Sequence, residues 1–216
     1  MTEELKELTG FGEKETFNNM KYKFTGETKV IKVFGEPVTL RRIKAVADFG
    51  NVKLGDLGGW IEKEENLSHE GNAWVCDEAM IYGNAKVYGD AKIYGDATVC
   101  GNAKVWGDAK VWGDAEVYDN SKVCGDAEVY GNAKVYCGAK VYGRAKVCDH
   151  ASVYDVAKVY DDAKVYGHAN VYEYAEVYGS AEVYGDAAVH EHANVYGDAE
   201  VYDDEICTCE KIHWNV

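Results

Sequence analysis

Across residues 71–202, small, apolar and polar positions return with a period of six. The unit Gly-Asp/Asn-Ala-x-Val-Tyr recurs 22 times without an insertion or deletion. Alanine holds its column from Ala73 to Ala199, broken by Ser121, and valine holds its column from Val75 to Val201, broken by Ile81 and Ile93. The two columns lie two residues apart, the spacing that puts side chains on one face of a β-strand. Ala and Val therefore point inward. The residue between them, often Lys or Glu, and the residue after Val, usually Tyr, point outward. Gly followed by Asp or Asn supplies a corner, because these residues tolerate positive φ. A period of six does not stay on one face of an α-helix. Hairpins fail as well, since such short strands joined by short corners cannot fold back with a constant face. The chain has to wind as a coil, each strand parallel to its copy one coil away.

Val-x-Gly-Asp-Ala-x, repeated, resembles the hexapeptide-repeat superfamily, the trimeric acyltransferase-like left-handed β-helices with three six-residue sides per coil. The resemblance implies an all-β fold, a single-stranded left-handed parallel β-helix. Its handedness comes from the resemblance, since parallel crossovers are otherwise right-handed. The repeats make about seven coils, a rod roughly 35 Å long at ~4.8 Å per coil. Each inward Val or Ile contributes about 1.5–2 kcal/mol before chain entropy is subtracted.

The hexad decays before Gly71, which predicts an N-terminal capping segment with a β-hairpin over residues 1–70, the coil over 71–202 and a C-terminal cap or tail over 203–216. Residues 21–25, 28–34 and 38–47 read as strands, with Gly35-Glu36-Pro37 as the turn between the last two. The first eighteen residues are polar and read as partly helical. Leu40-Arg41-Arg42-Ile43-Lys44-Ala45, Asp48-Phe49-Gly50-Asn51-Val52-Lys53, Gly55-Asp56-Leu57-Gly58-Gly59-Trp60-Ile61 and Asn66-Leu67-Ser68 ahead of Gly71-Asn72-Ala73-Trp74-Val75 resemble the entry segment of YdcK-like hexapeptide proteins. These are bacterial and phage proteins described as transferases without a demonstrated activity. A solenoid exposes strand edges at both ends, so the head is expected to act as a cap, the alternative being an independent binding domain. Ile206, Ile212, Trp214 and Val216 break the hexad and are expected to cover the last coil.

With three sides per coil, residues eighteen apart stack. One side then carries Lys86, Lys104, Lys122, Lys140 and Lys158 beside Tyr88, Trp106, Cys124, Tyr142, Tyr160, Tyr178 and Tyr196. Like charges at about 5 Å repel unless anions or acidic neighbours offset them, so this face is a candidate anion-binding or protein-binding surface. The alternative is that corner carboxylates and solvent screening suffice. One corner stacks Asp90, Asp108 and Asp126, followed by Arg144 and Asp162. Another stacks Asn84, Asn102 and Asn120, whose amides can form a ladder. The position after Val holds fifteen Tyr, Trp106, Trp112, four Cys and His190. A contiguous exposed aromatic surface marks an interface, here self-association as a dimer or trimer, although stacking alone also stabilises such a column.

Chemistry narrows the reading further. Cys76, Cys100, Cys124 and Cys148 recur every 24 residues, so they rotate from side to side; Cys76 and Cys148, which share a side, lie beyond disulfide reach. Cys207-Thr208-Cys209 with His213 is too unspecific a spacing for a metal site, and no metal or cofactor is expected. The superfamily's acyltransferases use a corner histidine as general base, a protruding loop and a groove between subunits. The corresponding candidates are His150, His168 and His192, but a smooth rod offers one chain no walled pocket.

The hydrophobic fraction of 47% excludes a disordered chain, and no apolar run approaches the ~20 residues of a membrane helix. The net charge of −15 makes direct nucleic-acid binding unfavourable. The acidic N-terminus and seven unpaired cysteines suit a cytoplasmic protein. The expectation is a non-catalytic structural or interaction protein, an acidic rod that binds a protein partner or itself, in one version a phage-type inhibitor of a host protein. The other class is an acyltransferase acting at a subunit interface.

Overall fold

The computed structural model describes residues 20–207 and 211–212. Apart from a 3-10 turn at Glu64–Asn66, the described regular structure is all β. Strands β1 (Tyr22–Val33) and β2 (Glu36–Ala45) form an antiparallel hairpin. Strand β3 (Leu57–Ile61) pairs antiparallel with β2 and parallel with Met80–Ile81, so the hairpin continues one side of the coil. Beyond it, short parallel strands stack into three sheets, one of 11 strands and two of 8. The result is a parallel β-solenoid of about eight turns, one more than the hexad count of about seven.

The extra turn arises because pairing outlasts the strict repeat at both ends. Downstream, Glu205–Ile206 pairs with Ala188–Val189 and Lys211–Ile212 with Asn194–Val195. Upstream, Ile61 pairs with Ile81 and Leu67 with Val87, each twenty residues on, whereas Val75 pairs with Ile93, eighteen on. Two additional residues between Leu67 and Val75 therefore break the register, which is why counting back by sixes from Gly71 loses the first coil. Trp214 and Val216, like the polar first eighteen residues, lie outside the described residues.

The hairpin departs from the expected strand limits. β1 runs unbroken to Val33, and an irregularity between Phe24 and Thr28, at Gly26 with φ +96°, absorbs the break the sequence suggested. The turn is Phe34-Gly35 rather than Gly35-Glu36-Pro37, and Pro37 lies within β2 opposite Lys32. Proline is tolerated there because β3 pairs only with Arg41, Arg42 and Lys44, so its missing N–H takes nothing from the third strand.

The alanine and valine columns form the interior, with Val87 at 1% exposure and Ala103, Val105 and Val135 at 0%. Ser121, the break in the alanine column, satisfies its hydroxyl by donating to the Tyr118 carbonyl at 2.8 Å. Along the rod, corner and strand-end N–H groups donate forward to the next coil, as Lys86 N–H does to Ala103 O at 2.9 Å and Lys104 N–H to Ser121 O at 3.0 Å, while the parallel register returns the Val105 N–H to Lys86 O. Forward bonds outnumber returning ones, so the open edge at the amino-terminal end is rich in acceptors and the far edge in donors. Buried groups of this kind cost about 1–3 kcal/mol each if unmet.

The head supplies donors. Lys21 Nζ reaches Ala73 O at 2.7 Å, Asn66 Nδ2 reaches Ala85 O at 2.9 Å and Gly83 O at 3.1 Å, and the Tyr22 hydroxyl reaches Leu67 O at 2.8 Å. Burial pulls the Lys21 ammonium down to about 8 despite the nearby Asp90 carboxylate. The tail supplies acceptors: Asp204 O takes the Ala188 N–H at 2.9 Å and Asp203 Oδ1 takes the Asp186 N–H at 2.7 Å. Charge follows the same polarity, with nine basic and five acidic side chains over residues 20–63 in a chain of net charge −15.

Candidate functional site: the lysine face

The corners decide which polar groups the fold itself consumes. Gly107 has φ +73°, and a Cβ there would sit 2.9 Å from the Gly125 nitrogen, so the first corner position favours glycine. At Asp149, Asp161 and Glu173, which replace it, the side chain takes a corner N–H of the next coil. Asp149 accepts from Gly167 at 3.2 Å, Asp161 from Gly179 at 3.3 Å and Glu173 from Glu191 at 2.9 Å. The carboxylate thereby offsets the strain of its positive φ, and these acids belong to the scaffold.

The second corner position is freer. Asn84 Nδ2 donates to Asn102 Oδ1 and Asn102 Nδ2 to Asn120 Oδ1, both at 3.2 Å, forming the amide ladder. On the opposite corner Asp90 accepts from the Asn72 backbone at 3.0 Å and side chain at 2.7 Å, while Asp108 and Asp126 are exposed. Arg144 pairs with Asp162 at 2.5 Å.

Between these corners lie the outward lysines. Lys86 pairs in register with Lys104, Lys104 with Lys122, and Lys122 with Lys140, and all four are exposed. Among the described residues none of the four has an ion pair. Lys158, the fifth rung, reaches Glu176 at 2.6 Å, which holds the ammonium above the usual lysine range and the carboxyl below its own. The uncompensated row is therefore four rungs long. The side carrying Lys92 is arranged otherwise: Glu128 sits between Lys110 and Lys146, 3.1 Å from each, and Glu182 lies 2.7 Å from Lys164. On the third side Glu116 pairs with Lys134 at 3.2 Å.

The aromatic column beside the lysines points outward as expected, but it is not broadly exposed. Tyr88 stacks on Trp106 with centroids 5.7 Å apart, and Tyr142, Tyr160 and Tyr178 stack at 4.9 Å. Neighbouring rings cover each other's faces, so Tyr88, Trp106, Tyr142 and Tyr160 are half-buried. Burial raises the Tyr88 and Tyr142 phenols above the usual tyrosine value. The column is a structural stack with its edges outward rather than an open apolar sheet. Cys124 interrupts it between Trp106 and Tyr142.

The candidate histidines stand on corners. His150 and His168 stack at 4.9 Å, His192 stacks on Tyr174 at 4.9 Å, and all three are exposed. Among the described residues none of these imidazoles makes a hydrogen bond, so no acid orients any of them. His190, in the outer column, lies 3.0 Å from Glu205. The six described cysteines are free, and burial pushes the Cys76 thiol up to about 11. Thr208, Cys209 and His213 lie outside the described residues; within these, no three His, Cys, Asp or Glu side chains gather as metal ligands.

Sequence reasoning missed the junction between head and coil. His69 stacks on Tyr22 at 4.2 Å, its Nδ1 accepts the Lys21 N–H at 3.3 Å, and its buried Nε2 has no partner among the described residues. Burial lowers the affinity of this imidazole for a proton. Lys21, Phe49 and His69 line a cleft of about 610 Å³. The two-residue register break conceals His69 from any reading by sixes.

No family model matches the chain. Over 44 residues it is 48% identical to a protein of Escherichia coli (strain K12) named "Uncharacterized acetyltransferase YdcK", a match covering 20% of this chain and 14% of that protein. This partial similarity and the β-solenoid together fit a hexapeptide-repeat, transferase-like protein. No described helix is long and apolar enough to cross a membrane.

Proposed function

We propose that the chain is a non-catalytic binding rod that holds an acidic protein partner along its lysine face. One observation carries this reading: Lys86, Lys104, Lys122 and Lys140 occupy successive rungs without a carboxylate, while equivalent rungs on another side are neutralised by Glu128 and Glu182. The solenoid does not require that repulsion, and a partner's carboxylates would relieve it. Contact would be spread along the rod, each lysine contributing about 1 kcal/mol or less. The free cysteines among the described residues accord with a reducing, cytoplasmic setting. A narrower version, a phage-type inhibitor occupying a host protein, would use the corner carboxylates Asp108 and Asp126 instead.

Poly-L-glutamate is the probe for the lysine face. The full chain should bind it, weakening with salt, and the triple variant Lys104→Gln, Lys122→Gln, Lys140→Gln should lose at least about tenfold in affinity. Unchanged binding by that variant would remove the lysine face from the account.

A second reading, acyl transfer at a subunit interface, is favoured by the name of the partly matching relative. It would draw its base from His150, His168 or His192. Acetyl-CoA binding by calorimetry that is lost in one histidine-to-alanine variant would support it over the binding rod.

A further inference from the structure

We propose that the tip of the β1–β2 hairpin is a docking element that inserts into the Val156–Tyr174 corner of a second copy of this chain. Phe34 and Gly35 form the two-residue turn between Val33 and Glu36, with φ of +51° and +90°. A turn with both values positive favours Asn, Asp or Gly. Phenylalanine is a poor choice there, since a bulky residue in the left-handed region is strained. Phe34 is also 104% exposed, so no contact within the described chain compensates that strain. Val30, 62% exposed, and Lys32 share the hairpin's open face, giving an apolar tip with a cation beside it.

A complementary surface lies farther along the rod. The corner that carries Asn84, Asn102 and Asn120 in the early coils carries Val156 and Tyr174 in later ones, exposed at 46% and 62%. With Cys137, Asp155 and Glu173 they line a hollow of about 330 Å³ that combines apolar and acidic side chains. A hairpin presenting Phe34 and Lys32 matches it in polarity and charge. Both patches are open in the single chain, so each is free to meet its counterpart on another. Made reciprocally by two antiparallel copies, the contact closes as a two-fold dimer. It uses no residue of the lysine row, so it stands or falls apart from the proposed binding face, although its Tyr174 stacks on the histidine candidate His192.

Sedimentation velocity on the full chain tests the contact. Wild type should dimerise at high micromolar concentration. Phe34→Asn, which suits the turn, should keep or raise the melting temperature while weakening dimerisation at least tenfold. The double variant Val156→Asn, Tyr174→Asn, which copies the asparagines of the early coils, should weaken it equally. A mixture of the two variants retains one intact tip and one intact corner, and should dimerise better than either variant alone. A monomeric wild type, variants that dimerise as wild type does, or a mixture no better than its components would overturn the proposal; loss in Phe34→Asn with wild-type dimerisation in the corner variant would indicate hairpins pairing with each other.

Discussion

Two sides of this coil share a backbone, an inward column of alanine and valine and an outward column rich in rings, yet differ at one rung of the three central ones. On one side the rungs read Lys110, Glu128, Lys146, and each ammonium finds a carboxylate oxygen at 3.1 Å. On the other they read Lys104, Lys122, Lys140, paired lysine to lysine. The interior is equally buried behind both, so the fold accepts either pattern. Stability therefore does not explain the lysine row, which is why the proposed binding face is the row rather than the stacked rings.

The largest expected effect removes what the two sides have in common. Val135→Asp places a carboxylate at a position with 0% exposure and should cost several kcal/mol in chemical denaturation, whereas Tyr136→Ser should cost about 1 kcal/mol. Comparable losses would make the ring column a second core.

The rings should next govern alkaline behaviour on every side. Burial pushes Tyr154 up to about 12 and also raises Tyr82, Tyr118, Tyr160 and Tyr166, while Tyr130 is raised first by its contact with Cys148. A phenol whose folded value exceeds its unfolded value of about 10 stabilises fully below that pH, and the contribution disappears as pH rises through the folded value. Stability should hold up to about pH 10 and fall between 10 and 12, with absorbance showing tyrosinate appearing as the rod unfolds. Normal titration of all tyrosines in the intact fold would contradict the stacks.

Asn66→Ala should cost about 1–3 kcal/mol, because it strips a buried donor from two carbonyls, Gly83 O and Ala85 O, at the corner that leads into the lysine side. Smallest of all, Lys122→Glu copies onto the lysine face the alternation found around Glu128 and should raise stability by a few tenths of a kcal/mol. A loss would mean that the lysine row is already compensated.

Much of this was legible in the residues because the coil repeats its physics every six positions: Ala85 and Val87 are buried for the same reason as Ala103 and Val105. The asparagine ladder followed from stacking by eighteen. The features that escaped are those that occur once. Two extra residues after Leu67 hid the first coil, and the donor roles of Lys21 and Asn66 depend on the direction of peptide groups, which no column reports. Ring burial was misjudged because each tyrosine is covered by its neighbour along the axis rather than by the interior. The four lysines were visible as a row, but the pairing of Lys158 with Glu176 emerged from side-chain geometry. The candidate histidines were visible too, and they stand exposed on corners, stacked on one another or on Tyr174.

A reciprocal exchange tests the central claim most directly. Poly-L-glutamate affinity would be measured at low and high salt for wild type, Lys122→Glu and Glu128→Lys. The account predicts that Lys122→Glu loses most of the salt-sensitive binding, while Glu128→Lys, which extends an unbroken lysine row from Lys92 to Lys164, gains binding on its side. Unchanged affinity in both variants would contradict the claim that uncompensated lysines in successive rungs make the binding face.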